Sequence, residues 1–482
     1  MRRLRQSTLV LVLCLAFLAG LGLARRGYTT AIIWVWLSAF IALLTFRKRN
    51  FVTLLFVVAF GLLFGLSRGQ LYVQKFASYD QYFYQKVTIA GVAGEDATYD
   101  RYKQLTFDSH NITVTETGET LTGKVGVSGF GVPAVYAGES FTATGKLYPS
   151  RGSYQAKIKF AELMITSVDK SIVNQLRRNF AAGMQSALPE PLASFGMGLL
   201  IGQRANLPDE TYNALLMVGL VHIIAVSGYN LTIILRATEG TLKKRSKRLS
   251  LIMSLSLIGL FLLFAGASAS IVRAAVVSVL AIAAGYYGRS VKPLVLILLA
   301  AALTSWANPF YLWSDIGWYL SFLAFFGVMI IAPLVMARLP NRYAGSLVVA
   351  VAVESLCAEI MTLPYVLHIF GQMSFVSLLA NVLVVALVPL AMLLCLFAGL
   401  SGMLVPALAG YIAFPAKLLL TYMLDVADLL SRIPHVFVQG LSLPLTQLLL
   451  LYGLAGFLAY VLYQKTKPAL RDKITEKKQP ET

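Results

Sequence analysis

The sequence predicts a polytopic α-helical membrane protein of about twelve spans, with an extracytoplasmic all-β, OB-like domain inserted after the third span. Three observations carry this. Hydrophobic residues make up 57% of the chain and charged residues only 13%, where soluble domains carry about 25% charged residues. Apolar runs long enough to cross a hydrocarbon layer recur along the chain, and one stretch near its start is instead patterned as short strands. With mean hydropathy at +0.71, there is too little polar surface to cover a water-soluble fold, so lipid is the solvent for most of the chain.

The runs lie near 7–24, 29–46, 51–72, 210–236, 249–266, 269–288, 291–307, 316–336, 345–367, 373–400, 405–430 and 444–463. The run 190–202 is too short to span and reads as an interfacial or re-entrant helix. Asp425 and Asp428, with Lys417 and Arg432, make 405–430 amphipathic, so it either crosses or lies on the surface. The N-terminal Met-Arg-Arg-Leu-Arg and its apolar run resemble a signal peptide. Arg25 and Arg26 follow at once and two more runs come next, so an uncleaved first span is expected.

Net charge is +19, and its distribution sets topology. The first 74 residues hold nine Lys or Arg and no acid, whereas 75–170 holds ten of each. Under the positive-inside rule the Arg2/Arg3/Arg5 end, the Arg47-Lys48-Arg49 loop and the Lys243–Arg248 cluster are cytoplasmic. Residues 75–170 are then outside, and nine later crossings return the basic tail, Lys465 to Lys478, to the cytoplasm. Arg25-Arg26 is the one violation. The domains expected are N-terminal spans 1–74, the β-domain 75–170, a polytopic domain 171–464 and the tail 465–482.

Strands in the exported domain are expected at Val87–Ala93, Gln104–Thr115, Gly123–Gly129, Ser140–Leu147 and Gln155–Ser167, five being the number of a small barrel. Tyr99, Tyr102, Phe107, Phe130, Tyr136, Tyr148 and Tyr154 are available for base stacking, or for filling the barrel. The domain's neutral charge argues against a strong electrostatic groove.

Several chemistries are set aside. Gly118–Lys124 almost spells a phosphate loop, but Val125 stands where a Ser or Thr should hold magnesium. No nucleotide motor is expected. The four histidines, His110, His222, His368 and His435, never pair at ligand spacing, so no metal or cofactor is expected. Cys14, Cys357 and Cys395 lie in apolar runs and read as packing residues.

The most unusual passage is Gly198-Leu-Leu-Ile-Gly202-Gln203-Arg204, then Gly219-Leu-Val-His222-Ile-Ile-Ala225-Val-Ser227-Gly228-Tyr229-Asn230. Polar groups in lipid face a bundle interior or a wet cavity, and the glycines allow close approach or a broken helix. Bonding between neighbouring helices accounts for Ser227 and Asn230 equally well. Ser227 with His222 also permits a membrane-embedded serine hydrolase, although a spacing of five puts them on different helical faces. A small-solute secondary transporter is a further alternative. It should show paired inverted repeats, and none is visible by eye. Arg273, Glu354, Glu359 and Asp315 also fall in or beside apolar runs, and Arg273 pairing with one glutamate is as good a reading as pore lining.

At these residues the chain resembles the ComEC competence family, inner-membrane channels for incoming single-stranded DNA. The two segments above match its motifs, as do Arg273-Ala274-Ala275, Asp315-Ile-Gly317-Trp-Tyr-Leu-Ser321, and Leu363-Pro364 through Phe370-Gly371-Gln-Met-Ser374 to Leu379-Ala380-Asn381. Gln203 stands where the family has Asp, Tyr229-Asn230 where it has Leu-His, and Trp318-Tyr319 where Phe-Gln is common. The resemblance is to a short form without the metallo-β-lactamase-like domain many members carry, so a non-enzymatic channel is expected. It implies single-stranded DNA as substrate, contact with membrane lipid, an extracytoplasmic DNA receptor and a cytoplasmic helicase-like motor. It marks Gly202, Arg204, His222, Ser227, Gly228, Asn230, Arg273, Ser321 and Asn381 as motif residues. Arg204, His222, Ser227, Asn230, Arg273 and Asn381 are the expected lining or gating set.

Overall fold

The structure is a computed structural model that describes residues 4–46, 49–100, 102–150, 154–168, 171–202, 207–224, 246–266, 269–289, 292–340 and 346–476. It is a polytopic helical membrane protein with a separate β-domain. Among the described residues seven helices are long and apolar enough to cross a membrane: Gln6–Ala24, Phe51–Tyr82, Lys247–Ala265, Ile316–Met336, Val348–Phe370, Ser377–Leu404 and Leu445–Thr466. Pro406–Ile412 and Phe414–Ser431 form a further pair bent by 51°. Shorter apolar helices occupy Ile32–Thr45, Leu192–Ile201, Ser270–Tyr286 and Pro293–Ala307. The run at 210–236 begins as two short helices, Asp209–Met217 and Val221–Ile224, separated at Gly219 with φ +78°. Its remainder, from 225, lies outside the described residues.

The described residues divide into two compact units, one holding those up to Ala182 and between Leu231 and Tyr319, the other the rest. In the first unit, helices Gln6–Ala24 and Phe51–Phe76 touch backbone to backbone. Gly61, Gly65 and Gly69 recur every four residues on one face of the longer helix. A Cβ at Gly65 would stand 2.2 Å from the Phe17 carbonyl oxygen, and one at Gly20 would meet the Leu62 carbonyl oxygen at 2.1 Å. Arg68 reaches from Phe51–Phe76 to the last carbonyls of Pro293–Ala307, with Nε 2.9 Å from Trp306 O and Nη2 3.2 Å from Ala307 O. Arg25 donates to the Trp313 carbonyl. That bond gives the charge violating the positive-inside rule a partner within the protein.

The β-domain follows directly from helix Phe51–Phe76 through a 3-10 turn, Ala77–Tyr82. Its strands are β1 (Lys86–Ala93), β2 (Thr98–Tyr99), β3 (Leu105–Val114), β4 (Thr120–Leu121), β5 (Val125–Phe130), β6 (Ser140–Pro149) and β7 (Ala156–Ser167). The five longer ones fall within two residues of the expected ranges at each end. β1 pairs with β6, β6 with β7, β7 with β5, β5 with β3, and β3 with β1, so the pairing closes on itself. All pairings in the ring are antiparallel except β5–β7. Closure leaves the five strands no open edge along most of their length. The interior is filled by Ile89, Ile112, Val127, Leu147, Ile158 and neighbours, with Phe107 and Phe141 edge to face at 4.9 Å.

The near phosphate loop is a β-hairpin end. Gly118 and Gly123 take φ +69° and +112°, and Lys124 pairs with Asp108 at 2.5 Å. The barrel is tied to the preceding helix by Gln155 Nε2 donating to Tyr72 Oη at 2.8 Å and by the buried Tyr79, whose hydroxyl donates to Thr122 O.

In the second unit every residue of helix Leu192–Ile201 is buried. At ten residues the helix is too short to span, as expected for an interfacial or re-entrant segment. Gly202 ends this helix at φ +74°, its N–H bonded to Gly198 O at 3.0 Å. Glycine adopts that left-handed conformation without the strain of a Cβ.

Candidate functional site

Three sites emerge, each within one unit. The first is on the barrel surface. Strand register sets Lys86 opposite Lys146, and Lys146 opposite Lys159, so three exposed lysines form one row across β1, β6 and β7. Like charges directly opposite one another destabilise a sheet, so the row is not a product of folding alone. The next outward row, Thr88–Thr144–Glu162, holds one acid.

Aromatic rings accompany the lysines. The ammonium groups of Lys146 and Lys159 lie 6.0 and 5.9 Å from the Tyr148 ring centre, and that of Lys157 lies 5.5 Å from the Tyr154 ring. Tyr84 stands edge-on to Tyr148 at 6.0 Å. Tyr84 and Phe160 are 61% and 69% exposed, with φ of +65° and +51°. Bulky residues in that region are outliers that cluster at functional sites. Phe160 lies where the β6–β7 register shifts, and a bulge re-aims the strand's side chains.

The stacking set differs from the expected one. Phe107 is core, whereas Tyr99, Tyr102, Phe130 and Tyr136 are exposed and Tyr148 and Tyr154 half-buried. Tyr84 and Phe160 were missed because the first precedes its strand and the second breaks the strand alternation. The neutral charge of the domain conceals the row. Several acids are engaged elsewhere, as with Asp96 accepting from Ala137 N and Glu139 from Tyr136 N, while Glu162 and Glu116, which accepts from Thr88 N, border the row.

The second site centres on Arg273, which is 2% exposed. Asp315 caps helix Ile316–Phe326, accepting from Trp318 N at 2.7 Å. Arg273 Nη2 donates to Gly317 O at 3.0 Å. A Cβ at Gly317 would lie 3.2 Å from Asp315 Oδ1 and 3.5 Å from Arg273 Nη2, so acid and base converge on that glycine. The carboxylate beside Arg273 within this unit is Asp315. The N-cap position puts Asp315 there, and that role was not legible before the helix start was known. Arg273 Nε and Nη1 find no hydrogen-bond partner among the described residues.

The third site is in the second unit. Glu359, on helix Leu347–Phe370, takes the hydroxyl of Ser377. Ser377 and Asn381 share the buried face of helix Ser377–Val384, each 8% exposed. Gly219 abuts Ser377, since a Cβ there would lie 2.7 Å from Ser377 Cβ. Its carbonyl engages His222 Nδ1 at 2.9 Å. The backbone at Gly219, which His222 engages, thus packs against Ser377, and Asn381 lies one turn further along that helix. Ser321 is half-buried on helix Ile316–Phe326. Arg204, Ser227, Gly228 and Asn230 lie outside the described residues.

Among the described residues no three His, Cys, Asp or Glu side chains are grouped to hold a metal ion. Cys14, Cys357 and Cys395 are free and buried.

The family model described as "Competence protein" matches residues 199–465. The chain is 26% identical over 219 residues to ComE operon protein 3 of Bacillus subtilis (strain 168), covering 44% of this chain and 27% of that protein. It therefore matches about a quarter of that relative's length. No solved structure matches. The matched region runs from the end of the buried helix Leu192–Ile201 through the Arg273 and Glu359 sites to the last long helix, more than half of the sequence, and so the chain belongs to the competence protein family.

Proposed function

We propose that this protein conducts single-stranded DNA across the cytoplasmic membrane during natural transformation. The observation that carries this is the lysine row of β1, β6 and β7 with its exposed rings. A phosphate backbone is attracted by aligned cations and bases stack on aromatic faces, which is how single strands are held without sequence preference. The closed five-strand order with one parallel pairing supports reading the barrel as an OB type. In this reading the barrel is extracytoplasmic and receives the strand. About twelve crossings return both termini to the cytoplasm, and Arg204, His222, Ser227, Asn230, Arg273 and Asn381 line or gate the route. The driving force comes from a cytoplasmic helicase-like motor and the strand from an extracytoplasmic receptor. This chain conducts and does no chemistry on the strand.

The test is passage of labelled DNA to the cytoplasm in a deletion strain complemented with wild type, Arg273→Ala or Asn230→Ala. DNA stalled outside the membrane, and released only by wild type, is the expected result. Normal entry in the deletion strain would overturn the reading and favour solute transport or intramembrane hydrolysis.

A further inference from the structure

We propose that the oxygen cluster around Glu359 is a binding site for one monovalent metal cation, a sodium ion. Glu359 lies twelve residues into helix Leu347–Phe370, about 18 Å along its axis and near the middle of the span Val348–Phe370. A carboxylate at that depth persists when it is paired or neutralised. Among the described residues the Ser377 hydroxyl is the hydrogen-bond partner of the carboxylate, and no lysine or arginine neutralises it. Its Oε2 finds no partner among them, and the same holds for the buried Ser374 Oγ and Asn381 Oδ1.

Ser377 stands between Glu359 and Ser374. Its hydroxyl bonds the carboxylate and stands 3.3 Å from the Ser374 carbonyl oxygen, while Asn381 follows one helical turn later on the same buried face. The groups offered are a carboxylate, hydroxyls, an amide oxygen and a carbonyl. These are hard oxygen ligands carrying one formal negative charge. One carboxylate charge is balanced by one positive charge.

Backbone geometry points the same way. The Ser377–Glu359 bond sets the start of helix Ser377–Val384 about 16 Å back from the Phe370 end of the preceding helix. Residues 371–376 therefore run as non-helical chain inside the depth of the span, with Met373–Ser374 paired to Phe437–Val438. Irregular backbone is stable at that depth where protein buries it or it lines a cavity. Such breaks supply oxygen ligands to coupling cations in transporters.

The test uses the full chain in nanodiscs without DNA, so its failure leaves the transport reading standing. The thermal midpoint is followed as sodium replaces choline at constant ionic strength. Sodium occupancy predicts a saturable rise in midpoint, lost in Glu359→Gln. If the wild-type midpoint does not respond to sodium, or Glu359→Gln responds as wild type does, the proposal is wrong. Should that variant fail to fold, Asn381→Ala keeps the charge and is expected to raise the half-saturating cation concentration severalfold. An unchanged value there would equally overturn the site.

Discussion

Replacing Lys86, Lys146 and Lys159 together with glutamine separates binding from folding, because the two respond oppositely. Each facing lysine pair costs the sheet about 0.2–1 kcal/mol, and each lysine over the Tyr148 ring returns about 0.5–1 kcal/mol. These terms nearly cancel, so the thermal midpoint should move little. Binding to a labelled oligothymidylate should weaken and become less sensitive to salt. Each neutralised phosphate contributes about 0.7 to the slope of log affinity against log salt for single strands. Taking three lysines away from the phosphates should flatten the slope by about 2, and the affinity drop between about 50 and 200 mM salt should shrink by roughly 20-fold. The assay is fluorescence anisotropy on the full chain in nanodiscs, with Lys103→Gln, at the turn between β2 and β3, as control. A slope unchanged from wild type in the triple variant refutes the row as a phosphate track.

Two further outcomes are expected. Gly65→Ala should destabilise the first unit by about 1–3 kcal/mol as the new methyl meets the Phe17 backbone, whereas Gly22→Ala, with open space around it, should be neutral or slightly stabilising; comparable melting of the two would count against the packing argument. Burial disfavours the Lys124 ammonium, but attraction and hydrogen bonding to Asp108 outweigh this and hold its pKa above the usual 10.5. A raised folded pKa stabilises below the unfolded value, and that stability is lost as pH rises through the folded one. Lys124→Met should therefore be less stable than wild type at neutral pH and converge with it only above about pH 10.5; a gap that persists in strong alkali would show that packing, not charge, is at work.

Some of this was readable because it is local. The five long β-strands follow from alternation, β-branched residues and turn glycines, all set within short stretches of chain. Long apolar helices follow from composition alone, since lipid leaves few other options for an apolar run. The Gly61, Gly65, Gly69 repeat was equally visible, but its partner surface at Gly20 and Phe17 was not. Arg25 looked like a topology exception until its bond to the Trp313 carbonyl was known.

The sequence by itself determined the class of protein, the place of the β insertion and the motifs that mark the family. Hydropathy and strand periodicity are properties of short windows, so no long-range information is needed to read them. Tertiary structure alone decided the sites. Lys86, Lys146 and Lys159 become neighbours only through strand register, Asp315 meets Arg273 only because it caps a helix, and Glu359 meets Ser377 only because the intervening chain turns back. Each juxtaposition joins residues that no local rule connects. What fixes them is the burial of the barrel and helix interiors, which admits one register and one packing.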